Sequence, residues 1–343
     1  MKFSIGYSGA PDFIEIVGQY RDHIAEVYFA APHTHSARRP ADDGQNYIYG
    51  LRLHEDLKGL RRLGIPANML FNALCIGDTY GTRTRFTLVC DQVAFFRDTY
   101  GVSAVTVLSA VEGRVIKKHF PDVCIHGSTN MFIRTPTQAA KIKDFVDVLT
   151  PDREINRDLD LLRDIKKVMG KPLRILANEG CIPECPHRVQ HLNHVSHERP
   201  PFAAFFLPGV ETYRSDPATI LKSPIIRPED VRHYEGIADT IKIASRSSPP
   251  ARLARILEAY TTGGYDGDLF GLMECGCLST YLDQCREQNA GTARGAPAFS
   301  NAAVPDDFFE RTTACNRLCD TCDYCASIAS RAFYWPPSTG QPV

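Results

Sequence analysis

Several features that would assign a function class at once are missing from this sequence. None of its apolar runs reaches the roughly 18 residues of a membrane span. Its net charge is only −1, so bulk electrostatics do not predict nucleic-acid binding, although this sum leaves a local basic patch open. No internal repeat is evident, and the H-E-x-x-H pattern that activates water in zinc peptidases does not occur.

The amino terminus also lacks a targeting signal. The stretch 1–9 is too short and too polar for a signal peptide, and it predicts a first strand instead. Hydrophobic residues make up 43% and charged residues 23% of the chain, as in soluble globular proteins, and 343 residues suffice for one large domain or two ordinary ones. We therefore expect a cytoplasmic protein, whose thiols are kept reduced.

Cysteine is abundant, with 12 residues. Structural disulfides are not expected in a reducing compartment, where clustered thiols indicate metal binding. Cys75, Cys90 and Cys124 stand alone in apolar segments and are interpreted as small core residues. The clustered cysteines are Cys181 and Cys185, Cys275 and Cys277, and the tail group Cys315, Cys319, Cys322 and Cys325.

Short β-rich segments alternate with helical patterns over the first three quarters of the chain. Eight strands are predicted, at Phe3–Ser8, Glu26–Ala31, Asn68–Leu74, Ala104–Ala110, Val123–Gly127, Phe145–Thr150, Leu173–Asn178 and Thr240–Ser245. Helices are predicted at Pro11–Tyr20, Leu51–Leu63, Arg83–Thr99, Pro136–Asp144, Asp152–Met169 and Leu253–Tyr260. This count favours a TIM-type (β/α)8 barrel of the α/β class, with room for irregularity, and a doubly wound open sheet is the alternative.

The predicted barrel, residues 1–262, has two long connections, 32–50 and 179–236. Both follow the carboxyl end of a strand, where a barrel builds its site, so we interpret them as functional loops. Residues 263–343 form a cysteine-rich carboxyl-terminal extension. We expect metal binding and docking on the barrel to fold it, since it lacks enough apolar surface for its own core.

The strand ends of the predicted barrel carry the candidate site residues, because that face of a barrel is the catalytic one. Polar groups occur at nearly every strand end, with an unusual share of His, Cys and Arg. The catalytic candidates are His126, Arg153, His187, Arg188 and Arg246, and the substrate-binding candidates are His35, Arg38, Asn72, Ser128, Asn178, Glu179 and Lys242.

The tail group has the spacing C-x-x-x-C-x-x-C-x-x-C. Four thiolates suit tetrahedral zinc or an iron–sulfur cluster. The tight spacing, without two separated C-x-x-C knuckles, favours iron–sulfur, with zinc as the alternative. Its first three cysteines also match the radical S-adenosylmethionine spacing, but that motif follows the first strand of a barrel and here stands near the other end.

Cys181 and Cys185 are interpreted as ligands of the same kind of centre. Two thiols are not a full site, so partners must come from the tail group, from Cys275 and Cys277, or from an imidazole such as His35. The alternative is a catalytic cysteine near histidine, as in cysteine hydrolases. His191, His194 and His197 follow at helical spacing, and their roles stay open.

The order of several motifs resembles the U32 peptidase-like family over about residues 1–260. The matching segments are His35–Arg39, His126–Ser128, Asp152–Glu154, Asn178–Cys181 and Ile241–Arg246. His35 departs from the pattern, because it stands where the ubiquinone-pathway relatives have cysteine. The compact Cys181-x-x-x-Cys185 loop departs as well.

The resemblance implies a barrel that holds a 4Fe-4S cluster and supports oxygen-independent hydroxylation of ubiquinone precursors or RNA bases. Other family members carry the description of collagenase-type peptidases. For this chain it implies a cluster held by Cys181 and further thiols, with a second cluster at the tail left open. We expect an iron–sulfur oxidoreductase acting on a small polar or anionic substrate, served by an electron donor or a homologous partner subunit. A metal- or cysteine-dependent peptidase, and a non-catalytic subunit of a hetero-dimer, are the competing predictions.

Overall fold

The computed structural model of the protein describes residues 1–32, 45–197 and 203–337. Its main sheet consists of eight parallel strands: β1 Lys2–Gly6, β2 Ile24–Phe29, β3 Ala67–Phe71, β4 Ala104–Val107, β5 Cys124–Gly127, β6 Val148–Leu149, β7 Arg174–Leu176 and β8 Thr240–Ile243. Their order is β6-β5-β4-β3-β2-β1-β8-β7. A parallel bridge from Leu149 to Leu173 joins the two outer strands and closes the sheet. The predicted TIM-type barrel is confirmed, and the open-sheet alternative is wrong.

Helices connect the strands and continue into the carboxyl-terminal region. They are α1 Phe13–Gln19, α2 Gln45–Leu63, α3 Arg83–Tyr100, α4 Ala110–His119, α5 Pro136–Ala140, α6 Leu159–Met169, α7 Arg188–His197, α8 Ala203–Ser215, α9 Thr219–Lys222, α10 Pro250–Thr262, α11 Gly276–Gln288, α12 Phe308–Thr313 and α13 Tyr324–Ala332. Among the described helices, none combines the length and the apolar character needed to cross a membrane.

The strands are apolar because both of their faces are covered. All five residues of β3 are buried, as are all four of β4, which is typical of a parallel sheet enclosed by helices. All eight strands lie where the sequence predicts them, although most are shorter by a few residues at the carboxyl end. The residues trimmed from these strands become the loops that carry the site.

Two helical segments differ from the prediction. Helix α4 was not predicted; the Ser109 hydroxyl caps it by accepting from the amide of Glu112, whose carboxylate pairs with Arg85 at 2.7 Å. The predicted helix 152–169 is divided into a 3-10 turn at Arg153–Ile155 and helix α6. The division falls at Asp158, because its carboxylate caps α6 by accepting from the Leu161 amide.

The long connection after β7 is largely helical. It contains α7, α8, α9 and a 3-10 helix at Pro228–Tyr234. The region after residue 262 packs onto it: α11 lies along α8, and the Phe270 ring meets that of Tyr213 edge-on at 6.1 Å between centroids. Phe270 also belongs to the apolar core that includes the barrel. A small antiparallel pair, β9 Ala298–Phe299 with β10 Phe333–Tyr334, completes this region.

Candidate metal centre

Four thiols gather at the mouth of the barrel, from two distant parts of the sequence. Cys181 and Cys185 lie on the loop after β7, and Cys275 and Cys277 lie at the start of α11. The sulfur atoms of Cys275 and Cys277 are 3.0 Å apart, and those of Cys181, Cys275 and Cys277 all lie within 4.8 Å of one another. Cys185, four residues after Cys181 on the same loop, lies outside this group of three but is near enough to Cys181 to interact with its thiol. We refer to these four residues as the barrel thiols.

The pKa values of the barrel thiols depend on one another. Hydrogen bonds from Cys185, Cys275 and Cys277, aided by the charge of Arg153, hold the pKa of Cys181 well below its usual range. The same bonds to Cys181 raise the pKa of Cys185 and Cys275, and raise that of Cys277 to about 12. Of the four, Cys181 gives up its proton most readily. Because thiolates are the ligands, a bound metal would displace the remaining protons.

The loop that carries Cys181 is fixed from behind by a buried arginine. Arg153 is 1% exposed, and its guanidinium donates to the backbone oxygens of Glu179, Cys181 and Ile182 at 3.1–3.3 Å. Its charge is balanced by Glu154 at 2.9 Å. A guanidinium has five N–H donors in a fixed planar arrangement, so it can serve three carbonyls and a carboxylate better than a lysine ammonium could. Arg153 therefore positions the loop.

Asn178 joins the two segments that supply the barrel thiols. Its side-chain amide donates to the carbonyls of Ala244 and Leu272, both at 2.9 Å, and its side-chain oxygen accepts from the Ala244 amide. Its backbone carbonyl accepts from the amide of Glu274. Glu274 directly precedes Cys275, so a single residue at the end of β7 sets the separation between Cys181 and Cys275.

Helix α8 closes the other side of the barrel thiols. A Cβ placed on Gly209 would lie 2.6 Å from the Cβ and 2.8 Å from the sulfur of Cys277. Only glycine therefore permits α8 to approach this cysteine so closely. Tyr213, one turn further along α8, donates from its hydroxyl to the carbonyl of Gly180.

An open pocket adjoins the thiol loop at the centre of the barrel mouth. Among the residues that line it are Tyr28, Asn72, Glu179, Lys242 and Arg246. The Lys242 ammonium nitrogen lies 3.3 Å from the centroid of the Tyr28 ring, and burial lowers the pKa of Lys242 well below its usual range. Since Glu179 lines the pocket and contacts Arg153, the pocket and the barrel thiols share a wall.

Below this pocket lies a buried charged layer that joins five strands. Glu26 accepts from Arg174, from the Ser4 hydroxyl at 2.6 Å and from Asn68 at 3.0 Å. Burial would raise the pKa of Glu26, but Arg174 and its other partners lower it to about 2. Burial likewise lowers the pKa of His126 to about 4, although Glu26 opposes this shift. The layer is a paired network inside the barrel.

The candidate residues predicted from sequence are distributed unevenly over these features. Asn72, Glu179, Lys242 and Arg246 line the pocket. His126 lies in the charged layer, 3.0 Å from Asn68. His35 and Arg38 fall outside the described residues.

Three further candidates serve the loops around the site. Arg188 is buried and pairs with Asp152 at 2.5 Å. His187 directly precedes it in the thiol loop, and its backbone hydrogen-bonds the Cys185 thiol. Ser128 caps the 3-10 turn at Thr129–Met131 by accepting from Asn130.

The tail group is not part of the barrel thiols. Cys315, Cys319 and Cys322 are exposed and Cys325 is half-buried. The partners of Cys181 and Cys185 are Cys275 and Cys277, a pair that the sequence offered as one of several alternatives. The available signal was the C-x-C spacing after the last barrel strand, and nothing in the local pattern ranked it above the longer tail motif.

Comparison with known proteins gives two informative matches. No protein-family model matches the chain. It is 33% identical over 199 residues to "Uncharacterized protease MJ1657" of Methanocaldococcus jannaschii, a match that covers 54% of this chain and 53% of that relative. The chain thus spans about half the length of the curated relative. It also resembles the solved structure of the U32 peptidase Mk0906, with a TM-score of 0.53 and 16% identity over 73% of this chain and 95% of that one. At this identity the structural likeness shows the fold.

Proposed function

The chain is related to the U32 peptidase-like family, and on that premise we propose that it is an iron–sulfur enzyme that performs oxygen-independent hydroxylation or related redox chemistry. Its substrate would be a small polar or anionic molecule bound at the barrel mouth. The observation that carries this proposal is the convergence of the four barrel thiols from two separate loops. Cys275 and Cys277 are buried in the apolar core and Cys181 packs against it, so the thiols converge at a sheltered position beside the pocket.

The barrel thiols fit a 4Fe-4S cluster by their chemistry. A cluster of this kind takes four thiolates, and the chain supplies four sulfurs, three of which lie within 4.8 Å of one another. Zinc, which also accepts four thiolates, is the alternative occupant. Cys181, Cys185, Cys275 and Cys277 would hold the group, and Arg153 would balance its negative charge through the backbone of the Cys181 loop.

A cluster bound by these residues would supply one-electron redox chemistry beside the pocket. The chain's own residues do the rest. The guanidinium of Arg246 attracts and orients an anionic substrate group, and Asn72 provides an amide for hydrogen bonding. Lys242, whose pKa is lowered by burial, can release a proton at Nζ more readily than an exposed lysine. Tyr28 covers one side of this amine and excludes water from it.

A cysteine peptidase is the second candidate function. The descriptions of the relative and of the similar structure favour it, as does the lowered pKa of Cys181, since a thiolate is the nucleophile in such enzymes. However, the Cys181 thiolate is stabilised by three thiols and an arginine. A Cys–His pair would place an imidazole in that position, so we rank the peptidase second.

A non-catalytic role in a hetero-dimer is the third candidate. It predicts that the isolated protein binds its cluster without turnover and that activity needs a homologous partner subunit. Size-exclusion chromatography of the protein alone and with a candidate partner distinguishes this role from that of an independent enzyme. A monomer that is active alone contradicts it.

The central experiment compares the iron and acid-labile sulfide of anaerobically purified Cys277→Ser with those of Cys285→Ala. Both residues are buried on helix α11, but only Cys277 belongs to the barrel thiols. The proposal expects brown wild-type protein. Cys277→Ser should lose most of the iron at the barrel, whereas Cys285→Ala should keep as much iron as wild type. A colourless wild type that contains zinc, or that cleaves peptides after metal removal and is inactivated by thiol alkylation, would contradict it.

A further inference from the structure

The tail group lies outside the metal centre, with three cysteines on the segment between α12 and α13 and Cys325 at the start of α13. We propose that Cys315, Cys319, Cys322 and Cys325 bind a second iron–sulfur cluster, which relays electrons between a carrier protein and the cluster held by the barrel thiols. The relay role rests on the proposed function, whereas the second cluster does not. The proposal follows from the chemistry of the tail, its charged surroundings and its connection to the first centre.

The spacing of the tail thiols favours an iron–sulfur cluster. Two of the three steps between consecutive thiols are C-x-x-C, as in the cysteine runs of bacterial ferredoxins, whereas structural zinc sites use pairs of ligands separated by longer segments. Cys181, Cys275 and Cys277 form the one group of three such ligand atoms within 4.8 Å of one another that the described residues contain, so the tail sulfurs are not gathered as tightly.

Two cations from elements of the barrel region interact with the tail thiols. The Cys325 thiol interacts with the thiols of Cys319 and Cys315 and with the guanidinium of Arg157. Lys222, at the end of α9, pairs with Asp216 at 2.6 Å and also interacts with Cys319 and Cys325. Four thiolates on one cluster carry a net negative charge, which these two cations would partly offset.

One arginine connects the tail thiols to the barrel thiols. Arg317 stands between Cys315 and Cys319 in a left-handed conformation, with φ of 61°. Its guanidinium donates to the Glu184 carboxylate at 3.0 Å and to the Glu154 carbonyl at 2.7 Å. Glu184 directly precedes Cys185. The tail segment therefore contacts the loop that carries Cys185, and the tail group is the more exposed of the two.

Hydroxylation removes electrons from the substrate, so the relay would run outward. An electron taken up by a cluster held on the barrel thiols would pass to a cluster on the tail group and then to an oxidised iron–sulfur carrier protein, which is thereby reduced. The relay itself would break no bond to the protein and move no proton, and it would run in the reverse direction when the carrier is supplied in its reduced form. A buried barrel cluster would thus exchange electrons with a partner that cannot enter the pocket.

Iron counting tests the second cluster and separates it from the proposed function. Anaerobically purified wild type should hold about eight iron atoms per chain, and Cys319→Ser/Cys322→Ser about four. Cys275→Ser/Cys277→Ser should also hold about four, and the control Cys90→Ser about eight. Because Cys319 and Cys322 are exposed, their replacement leaves no cavity, and circular dichroism verifies the fold.

Each other outcome decides between the two claims. About four iron atoms in wild type, retained in the tail variant and lost in the barrel variant, overturn the tail cluster and leave the proposed function intact. The reverse pattern supports the tail cluster and overturns the proposed function. Zinc bound at the tail overturns the second iron–sulfur cluster.

The relay is tested by stopped-flow reduction with a reduced bacterial ferredoxin. In the tail variant, the barrel cluster should be reduced at least tenfold more slowly than in wild type, while dithionite, a small reductant, reduces it at an unchanged rate. An equal rate with ferredoxin in both proteins overturns the relay.

Discussion

The tail thiols and the barrel thiols differ in their separation along the sequence and in their exposure. The tail thiols are neighbours in sequence, lie mostly at the surface and are not gathered as tightly in space. The barrel thiols come from segments far apart in sequence, yet they are gathered at the mouth of the barrel and backed by Arg153 and Asn178. The difference shows that thiol proximity here is produced by the parallel barrel, which brings the residues that follow β7 and β8 together.

Among the changes that test this difference, replacing Arg153, the cation that holds the loop of the barrel thiols, should have the largest effect. Arg153→Met should lower the free energy of unfolding by about 3–5 kcal/mol, because it leaves Glu154 without its closest partner and three carbonyls without a donor. Denaturant unfolding of the metal-free protein measures this. Arg153→Lys keeps the positive charge but loses the planar guanidinium, so its free energy of unfolding should lie between those of wild type and Arg153→Met. A loss below about 1 kcal/mol, the value of a surface pair, would contradict the positioning role.

The charged layer beneath the barrel mouth gives a second test, through pH. His126 has a pKa of about 4 in the folded protein and about 6.5 when unfolded. Between these two pKa values, the unfolded chain therefore binds a proton at His126 and the folded chain does not. The free energy of unfolding keeps its full value above pH 6.5 and should fall by about 3 kcal/mol as the pH drops to 4.

His126→Asn should flatten this part of the pH profile of the unfolding free energy, and NMR titration of the His126 ring reports its pKa directly. A ring that titrates near 6.5 would show that the layer is open to water.

Alkylation sharpens the comparison at the level of the thiols themselves. In metal-free protein, iodoacetamide should modify Cys315, Cys319 and Cys322 at least about tenfold faster than Cys275 and Cys277, because access controls the reaction. Mass spectrometry of timed samples measures each site. Equal rates would mean that the barrel thiols open readily to solvent.

The smallest effect is expected at the link between the two groups. Arg317→Ala should cost at most about 1 kcal/mol, because Arg317 and Glu184 are half exposed and their pairing is screened by solvent. Thermal unfolding compared with Arg331→Ala, an exposed arginine on α13, measures it. A loss of unfolding free energy as large as that of Arg153→Met would contradict a solvent-screened pairing and would show that the contact between Arg317 and Glu184 contributes like a buried one.

Hydrophobic patterning was sufficient to predict the barrel, since eight apolar segments alternate with helical ones. Helix α4 was missed because Gly113 weakens a short helix that is stabilised by the Ser109 cap and the Arg85–Glu112 pair. The layer of Glu26, Arg174 and His126 was missed for a related reason. Pattern analysis reads charged residues as exposed, and only the closed barrel brings their charges together.

The sequence indicated where the site lies, but it did not single out the thiols that join Cys181 and Cys185. Cys181, Cys185, Arg153 and Arg246 could be proposed from the strand ends that carry them. Cys275 and Cys277 could not be ranked above the tail thiols, because their approach depends on the bonds of Asn178 and on the missing side chain of Gly209. Neither effect has a signature in the local sequence.

The most direct test of the central claim is the location of iron in a crystal of the anaerobically purified protein. Anomalous diffraction measured at the iron absorption edge should give a peak enclosed by the sulfur atoms of Cys181, Cys185, Cys275 and Cys277. An iron-containing crystal with no peak among these four sulfurs would contradict the account.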